Sequence, residues 1–169
     1  MRTTPWLHRA LSTLATLALA VCAVLMVGVR PAHAAITIDA NAWYVIVNAN
    51  SGKALDLYNF ITSDGAEFRQ WTRADGANQQ FQFVSSGGGY YRLRARHSGK
   101  ALDVYNFSTA NGANIVQWPD LNGTNQQWSA VDTTSGYFKL INRNSGKALD
   151  VWEWSTADNG RISHYTDSG

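Results

Sequence analysis

One hexapeptide is written three times in this chain. Ser51-Gly52-Lys53-Ala54-Leu55-Asp56 recurs as Ser98-Gly99-Lys100-Ala101-Leu102-Asp103 and as Ser145-Gly146-Lys147-Ala148-Leu149-Asp150, each time after an interval of 47 residues. The same interval relates Trp71, Trp118 and Tyr165, and relates Asn78 to Asn125. Ten positions counted from Ser51 and from Ser98 agree at nine. A period of this length marks one supersecondary unit that cannot bury its apolar face alone, so the units must share or stack their cores.

Each unit reads as strands and turns. Trp43-Tyr44-Val45-Ile46-Val47 is β-branched and aromatic, and Asn50-Ser51-Gly52 carries turn chemistry. Residues 53–58 alternate, with Leu55 and Leu57 on one face and Ala54, Asp56 and Tyr58 on the other. Phe68 to Trp71 and Gln80 to Val84 follow, and residues 85–89 and 132–136 read as hairpin loops between units. Four short strands per unit predict an all-β fold. Propellers also carry four strands per unit, but usually in at least four blades. Three units closing on one core predict a β-trefoil of three 47-residue repeats, at about 44–90, 91–137 and 138–169. In this register the third Asn-Gln pair would fall at 172, past Gly169, so the third repeat is expected to be truncated at the C-terminus and to lack its closing strand.

The first 34 residues stand outside the repeat. Arg2 and Arg9 precede an uninterrupted apolar run of 13 residues from Leu17 to Val29, and Ala32-His33-Ala34 follows it. That order fits a removed secretory signal peptide, and the run is short for a membrane span. Residues 35–41 form a short N-terminal segment, and the domain is expected over 42–169. Arg2, Arg9 and Arg30 would leave with the signal, so 11 basic residues face 12 acidic ones and the net charge becomes −1. A nucleic-acid partner needs a basic stripe, and Arg92, Arg94 and Arg96 alone make a poor one. The only cysteine, Cys22, lies in the leader, which excludes disulfides, thiol nucleophiles and thiolate metal sites from the mature chain.

The repeated polar residues need a role. Asp56, Asp103 and Asp150 sit in strand-like segments, where aspartate is disfavoured. Each is either a turn residue bonding local backbone or a surface carboxylate, whose two acceptor oxygens suit adjacent sugar hydroxyls. Fifteen residues later stand Trp71, Trp118 and Tyr165, flanked by polar residues. They are either core aromatics or platforms for the apolar face of a sugar, and Phe81, Phe83 and Trp128 already supply a core. Asn78-Gln79 and Asn125-Gln126 complete the constellation. The asparagines are expected to touch ligand; Gln79 and Gln126 either do the same or brace backbone turns.

Gln126-Gln127-Trp128 is a Q-x-W, and Gln79-Gln80-Phe81 is its phenylalanine variant. With the Leu-Asp segments and three tandem units, the chain from about Ala42 resembles the ricin B-type lectins and related carbohydrate-binding modules. The resemblance implies a β-trefoil with one shallow sugar pocket per repeat. It implies Asp56, Trp71 and Asn78 in the first pocket, Asp103, Trp118 and Asn125 in the second, and only Asp150 and Tyr165 in the third. Many members carry a disulfide in each repeat, where this chain has Ala54, Ala101 and Ala148, so packing must replace the bridges.

Catalysis finds no support in the pattern. Glycoside hydrolysis needs two carboxylates in one pocket, and the repeat separates its aspartates. His97 stands at a turn where the other units have asparagine, and His164 beside Tyr165 could touch a ligand. No spacing of metal ligands is present. The chain is therefore expected to be a secreted, extracellular, monomeric, non-enzymatic protein with carbohydrate as partner, without cofactor or metal, and without nucleic-acid or membrane binding after signal removal. A galactoside, xylan or arabinan is the expected ligand class. The alternatives are a Kunitz-type trefoil protease inhibitor, or a binding module cut from a secreted glycoside hydrolase.

Overall fold

The computed structural model describes residues 37–133 and 136–168. The segment read as a leader lies outside the described residues. Ten strands follow one another: β1 Ala54–Leu57, β2 Phe68–Trp71, β3 Phe81–Gly87, β4 Tyr90–Ala95, β5 Ala101–Val104, β6 Ala113–Trp118, β7 Trp128–Asp132, β8 Phe138–Asn142, β9 Ala148–Val151 and β10 Gly160–Tyr165. Single-turn 3₁₀ segments are the only helical elements among the described residues.

Two layers result. The first is a cap of three hairpins, β1–β2, β5–β6 and β9–β10, related by the 47-residue interval. Their second strands meet around an axis: β10 pairs with β2 at Gly160↔Gln70 and with β6 at Ser163↔Asn114, and Glu67 bridges to Val116. The second layer is barrel-like. β3 and β4 form a hairpin with a bulge between Ser85 and Gly87, β4 pairs with β7 through Tyr90↔Ser129 and Tyr91↔Trp128, and β7 pairs with β8 from Trp128↔Asn142 to Asp132↔Phe138. Between the layers lies one core, in which Phe68, Phe81, Leu93, Leu102, Ile115 and Trp128 are fully buried.

Two local expectations change. The expected strand at residues 43–47 makes only isolated bridges, Tyr44↔Phe81 and Val47↔Ala54. Among the described residues no strand lies on its other side, so no continuous ladder forms. The sequence pattern has residues 54–57 alternating between core and surface, yet all four are buried, as are Ala101–Val104. The face expected to be open is covered by the 3₁₀ turns Ala77–Gln79 and Thr124–Gln126, whose amides reach Asp56 and Asp103.

The cap is locked by three equivalent side chains. Gln70 Nε2 donates to Ser155 O (2.7 Å) and Ala157 O (2.9 Å) of the third repeat. Gln117 Nε2 donates to Ile61 O (2.7 Å) and Ser63 O (2.9 Å) of the first. His164 Nε2 lies 2.8 Å from Ala110 O of the second. Each repeat thus holds a loop of another, in a closed ring.

Candidate functional site

Asp56 and Asp103 form the floors of two equivalent sites, each only 4% exposed. Asp56 Oδ2 accepts from Asn78 Nδ2 (2.9 Å) and Gln79 Nε2 (2.8 Å), while its Oδ1 takes no donor among the described residues. Asp103 Oδ2 accepts from Gln126 Nε2 at 2.8 Å. The asparagines also tie the strand ends, with Asn78 Nδ2 donating to Leu57 O and Asn125 Nδ2 to Val104 O. The glutamines are committed to the protein. Gln79 Oε1 accepts from the backbone of Ala74 and Asp75, and its amide also donates to Thr72 O. Gln126 likewise accepts from Leu121 N and donates to Pro119 O. Of the two roles open from sequence, the geometry favours bracing for both glutamines.

Glycine makes room for this arrangement. A β-carbon at Gly76 would stand 2.7 Å from Asn78 Oδ1, and one at Gly123 would stand 2.5 Å from Asn125 Oδ1 and 3.2 Å from the Phe107 ring. Neither glycine has a positive φ; what matters at both is close approach.

Trp71 and Trp118 end their strands half-buried beside these floors. Each faces an aromatic ring that the sequence reading passed over. Tyr58 lies 5.5 Å from Trp71, Tyr105 lies 6.0 Å from Trp118, and Trp152 lies 6.3 Å from Tyr165 in the third repeat. These partners belong to the 3₁₀ turns Tyr58–Phe60, Tyr105–Phe107 and Trp152–Trp154. In each turn the second and third residues are left-handed, including Phe60 (φ 54), Phe107 (φ 53) and Trp154 (φ 57). Left-handed backbone is unfavourable for a bulky residue, and such strain collects where a ligand is held. It sets the third aromatic on the rim, with Phe60 56%, Phe107 54% and Trp154 79% exposed. The available sequence signal was an aromatic–x–aromatic triplet directly after each of the three Leu-Asp segments.

The second site encloses about 150 Å³ between Asp103, Tyr105, Phe107, Trp118 and Asn125. Burial pushes the Asp103 carboxyl up to about 6, against the pull of the Gln126 and Asn125 hydrogen bonds. Burial also raises Asp56, against Gln79, Asn78 and the nearby His97, and it raises Asp150. A carboxylate held short of solvent beside a flat ring accepts hydroxyl hydrogens strongly while the ring takes an apolar face.

The third site differs. It is a wider space of about 520 Å³ that contains Asp150 and Tyr165, with Trp152, Glu153, Trp154 and Asp167 around them. The expectation of one acid per site therefore fails here; Asp167 is held by Lys139 at 2.7 Å. Glu153 replaces Asn59 and Asn106, and Arg161 stacks over Trp152 at 5.0 Å.

His164, considered as a ligand contact, is fully buried in the cap. The carbonyl of Ala110 can only accept, so the proton sits on Nε2, and Nδ1 accepts from the Ser145 hydroxyl at 3.1 Å. His97 steadies a rim turn through Ile61 O at 3.2 Å, as Asn144 does through Phe107 O at 3.0 Å. The arginine stripe is engaged internally: Arg92 pairs with Asp120 at 2.7 Å, Arg94 donates to Gln82 and Arg96 to Gln80.

Comparison with known proteins decides the affiliation. The family model described as ricin-type beta-trefoil lectin domain-like matches residues 35–118 and 77–165. This chain belongs to that family. The ricin-type trefoil assignment carries the all-β, threefold architecture described above. The chain is 53% identical to the designed threefold symmetric protein ThreeFoil, with a TM-score of 0.74 over 75% of this chain and 91% of that one. It is 38% identical to an exo-β-1,3-galactanase from Clostridium thermocellum, with a TM-score of 0.75 over 79% of this chain, and it spans only 29% of that enzyme. A Macrolepiota procera ricin B-like lectin solved with lactose shares the fold at 19% identity and a TM-score of 0.68, covering 79% of this chain and 92% of that one. A comparison with curated protein sequences found no match.

Proposed function

We propose that this ricin-type trefoil is a secreted carbohydrate-binding module that holds one sugar in each of the first two sites. Asp56 and Asp103 accept from adjacent hydroxyls, Trp71 and Trp118 stack on the apolar face, and the Tyr and Phe of each rim turn close the opposite wall. The carrying observation is the buried aspartate, oriented by side-chain amides beside a half-exposed tryptophan, found twice at a 47-residue interval. Gln79 and Gln126 act behind the aspartates as positioning residues. A galactoside is the favoured class, because the 38% identical galactanase contains a domain of this kind. The same likeness supports a second reading, in which the domain serves as the binding module of a larger secreted glycoside hydrolase.

One carboxylate, one ring and one amide per site predict millimolar affinity for a monosaccharide, roughly −4 kcal/mol. Occupying both sites on a polymer multiplies retention by about 10². Titration with galactose and β-1,3-galactan, beside xylan and arabinan, tests the class, and a reducing-sugar assay separates binding from hydrolysis. Asp56→Ala with Asp103→Ala should abolish retention while circular dichroism stays that of the parent. Undiminished retention by the folded double variant overturns the assignment.

A further inference from the structure

The threefold pattern of the barrel layer is filled twice and open once. β3 runs between the segment at Tyr44 and β4, and β7 runs between β4 and β8. The third equivalent position lies between β8 and residues 46–48. Among the described residues no strand stands there, and a groove of about 220 Å³ takes its place. Its floor is core surface: Ile46, Leu55, Leu140, Leu149, Val151 and Ile162. The counterparts of Leu149 and Val151 under β7 are Leu102 and Val104, which are 0% exposed, whereas Leu149 and Val151 themselves are only partly covered.

We propose that this groove docks an extended segment of a separate polypeptide with the pattern Asn-Gln-x-aromatic-x-apolar, adding it as a strand between β8 and residues 46–48. The two filled positions define the chemistry. They hold Asn78-Gln79-Gln80-Phe81-Gln82-Phe83 and Asn125-Gln126-Gln127-Trp128-Ser129-Ala130. In the second, the Trp128 indole donates to Leu102 O at 3.3 Å, so Leu149 O is the matching acceptor in the groove. Asp150 borders both this groove and the third site. The Asn-Gln of a docked segment therefore arrives where Asn78 and Gln79 meet Asp56. A strand gains main-chain hydrogen bonds along an unpaired edge, and alternate side chains give it specificity. A second copy of this chain is the poorer donor, because its own matching strands are paired on both sides, Phe81 with Ala95 and Tyr44, Trp128 with Asn142 and Tyr91. The inference stands whether or not the first two sites bind sugar.

The probe is a synthetic peptide copying residues 123–132, added to the full chain. Saturable 1:1 binding, a rise in melting temperature and at least tenfold slower amide exchange at residues 46–48 and 137–139 are expected. A scrambled peptide, or one carrying Trp128→Asp, should do none of these. The Asp150 contact is read by a double-mutant cycle. Peptide changes Asn125→Ala and Gln126→Ala should weaken binding to the parent chain about tenfold and to Asp150→Ala by less than about twofold. Equal binding by the scrambled peptide, or protection only elsewhere, overturns the proposal. So does concentration-dependent dimerisation that protects the same amides and that the peptide does not compete.

Discussion

The second site sets sugar binding against stability, and replacing Asp103 by asparagine separates the two. Asp103 is 4% exposed, and burial raises its carboxyl from 3.8 to about 6. A displacement of that size corresponds to roughly 3 kcal/mol between the ionised and neutral forms. Water entering the open mouth of the site screens part of it, so about 1.5 kcal/mol is the better figure. The folded-state value is the raised one. The contribution is therefore fully favourable below 3.8 and is lost as pH rises through about 6. An asparagine at this position keeps the shape and an acceptor for Gln126 but never ionises. The Asp103→Asn variant should then melt about 4–6 °C above the parent near pH 7.5. Near pH 4, where the parent carboxyl is mostly protonated in the fold, the gap should shrink to about a fifth. Sugar affinity at the second site should fall about 5- to 30-fold, since a hydrogen bond to a charged acceptor is replaced by a neutral one. Thermal melts followed by circular dichroism at both pH values, with titration of a monosaccharide, read all three quantities. A variant that melts below the parent near pH 7.5, or a gap that does not depend on pH, refutes the reasoning.

Gly123→Ala should push the Asn125 amide and the Phe107 ring apart, costing about 1–3 kcal/mol and silencing the second site alone, as seen in melting and in the number of sites titrated. His164→Gln places in the third repeat the residue that Gln70 and Gln117 supply elsewhere. Burial lowers the His164 value below 6.5, so its share of stability is present above 6.5 and is lost as pH falls through the lowered value. The variant should match the parent near pH 8 and outlast it near pH 5; identical melting at both would contradict this. Phe107→Gly removes a left-handed phenylalanine from an exposed rim, so melting should move by less than about 1 kcal/mol while polysaccharide retention drops. Unchanged retention would remove Phe107 from the site.

Repetition made the architecture legible. Because Asp56, Trp71 and Asn78 return at one interval, their proximity in one repeat had to recur in the next, and the fold brings them together twice. Legibility ended where a side chain's partner lies in another repeat. Gln70, Gln117 and His164 look like solvent-facing neighbours of the stacking aromatics, yet their partners are loop carbonyls of another repeat, which no local pattern can reveal. The rim was missed for another reason. Tyr58-Asn59-Phe60 reads as the end of a strand, and only the left-handed backbone at Asn59 and Phe60 turns it into a wall of the site. Local propensity argues against such backbone for phenylalanine, so surrounding structure must impose it.

The closed ring of cap contacts also bears on how the molecule comes into being. Gln70 is made early, but its carbonyl partners lie 85 and 87 positions further along. At roughly 5–20 residues per second a ribosome needs about 4–17 s to cover that distance. Until then the first hairpin has no neighbour for the edge that later meets Gly160. A nascent chain of this design stays loose for most of its synthesis and commits to its final shape only when the third hairpin emerges, a timetable that suits a polypeptide threaded across a membrane before it folds.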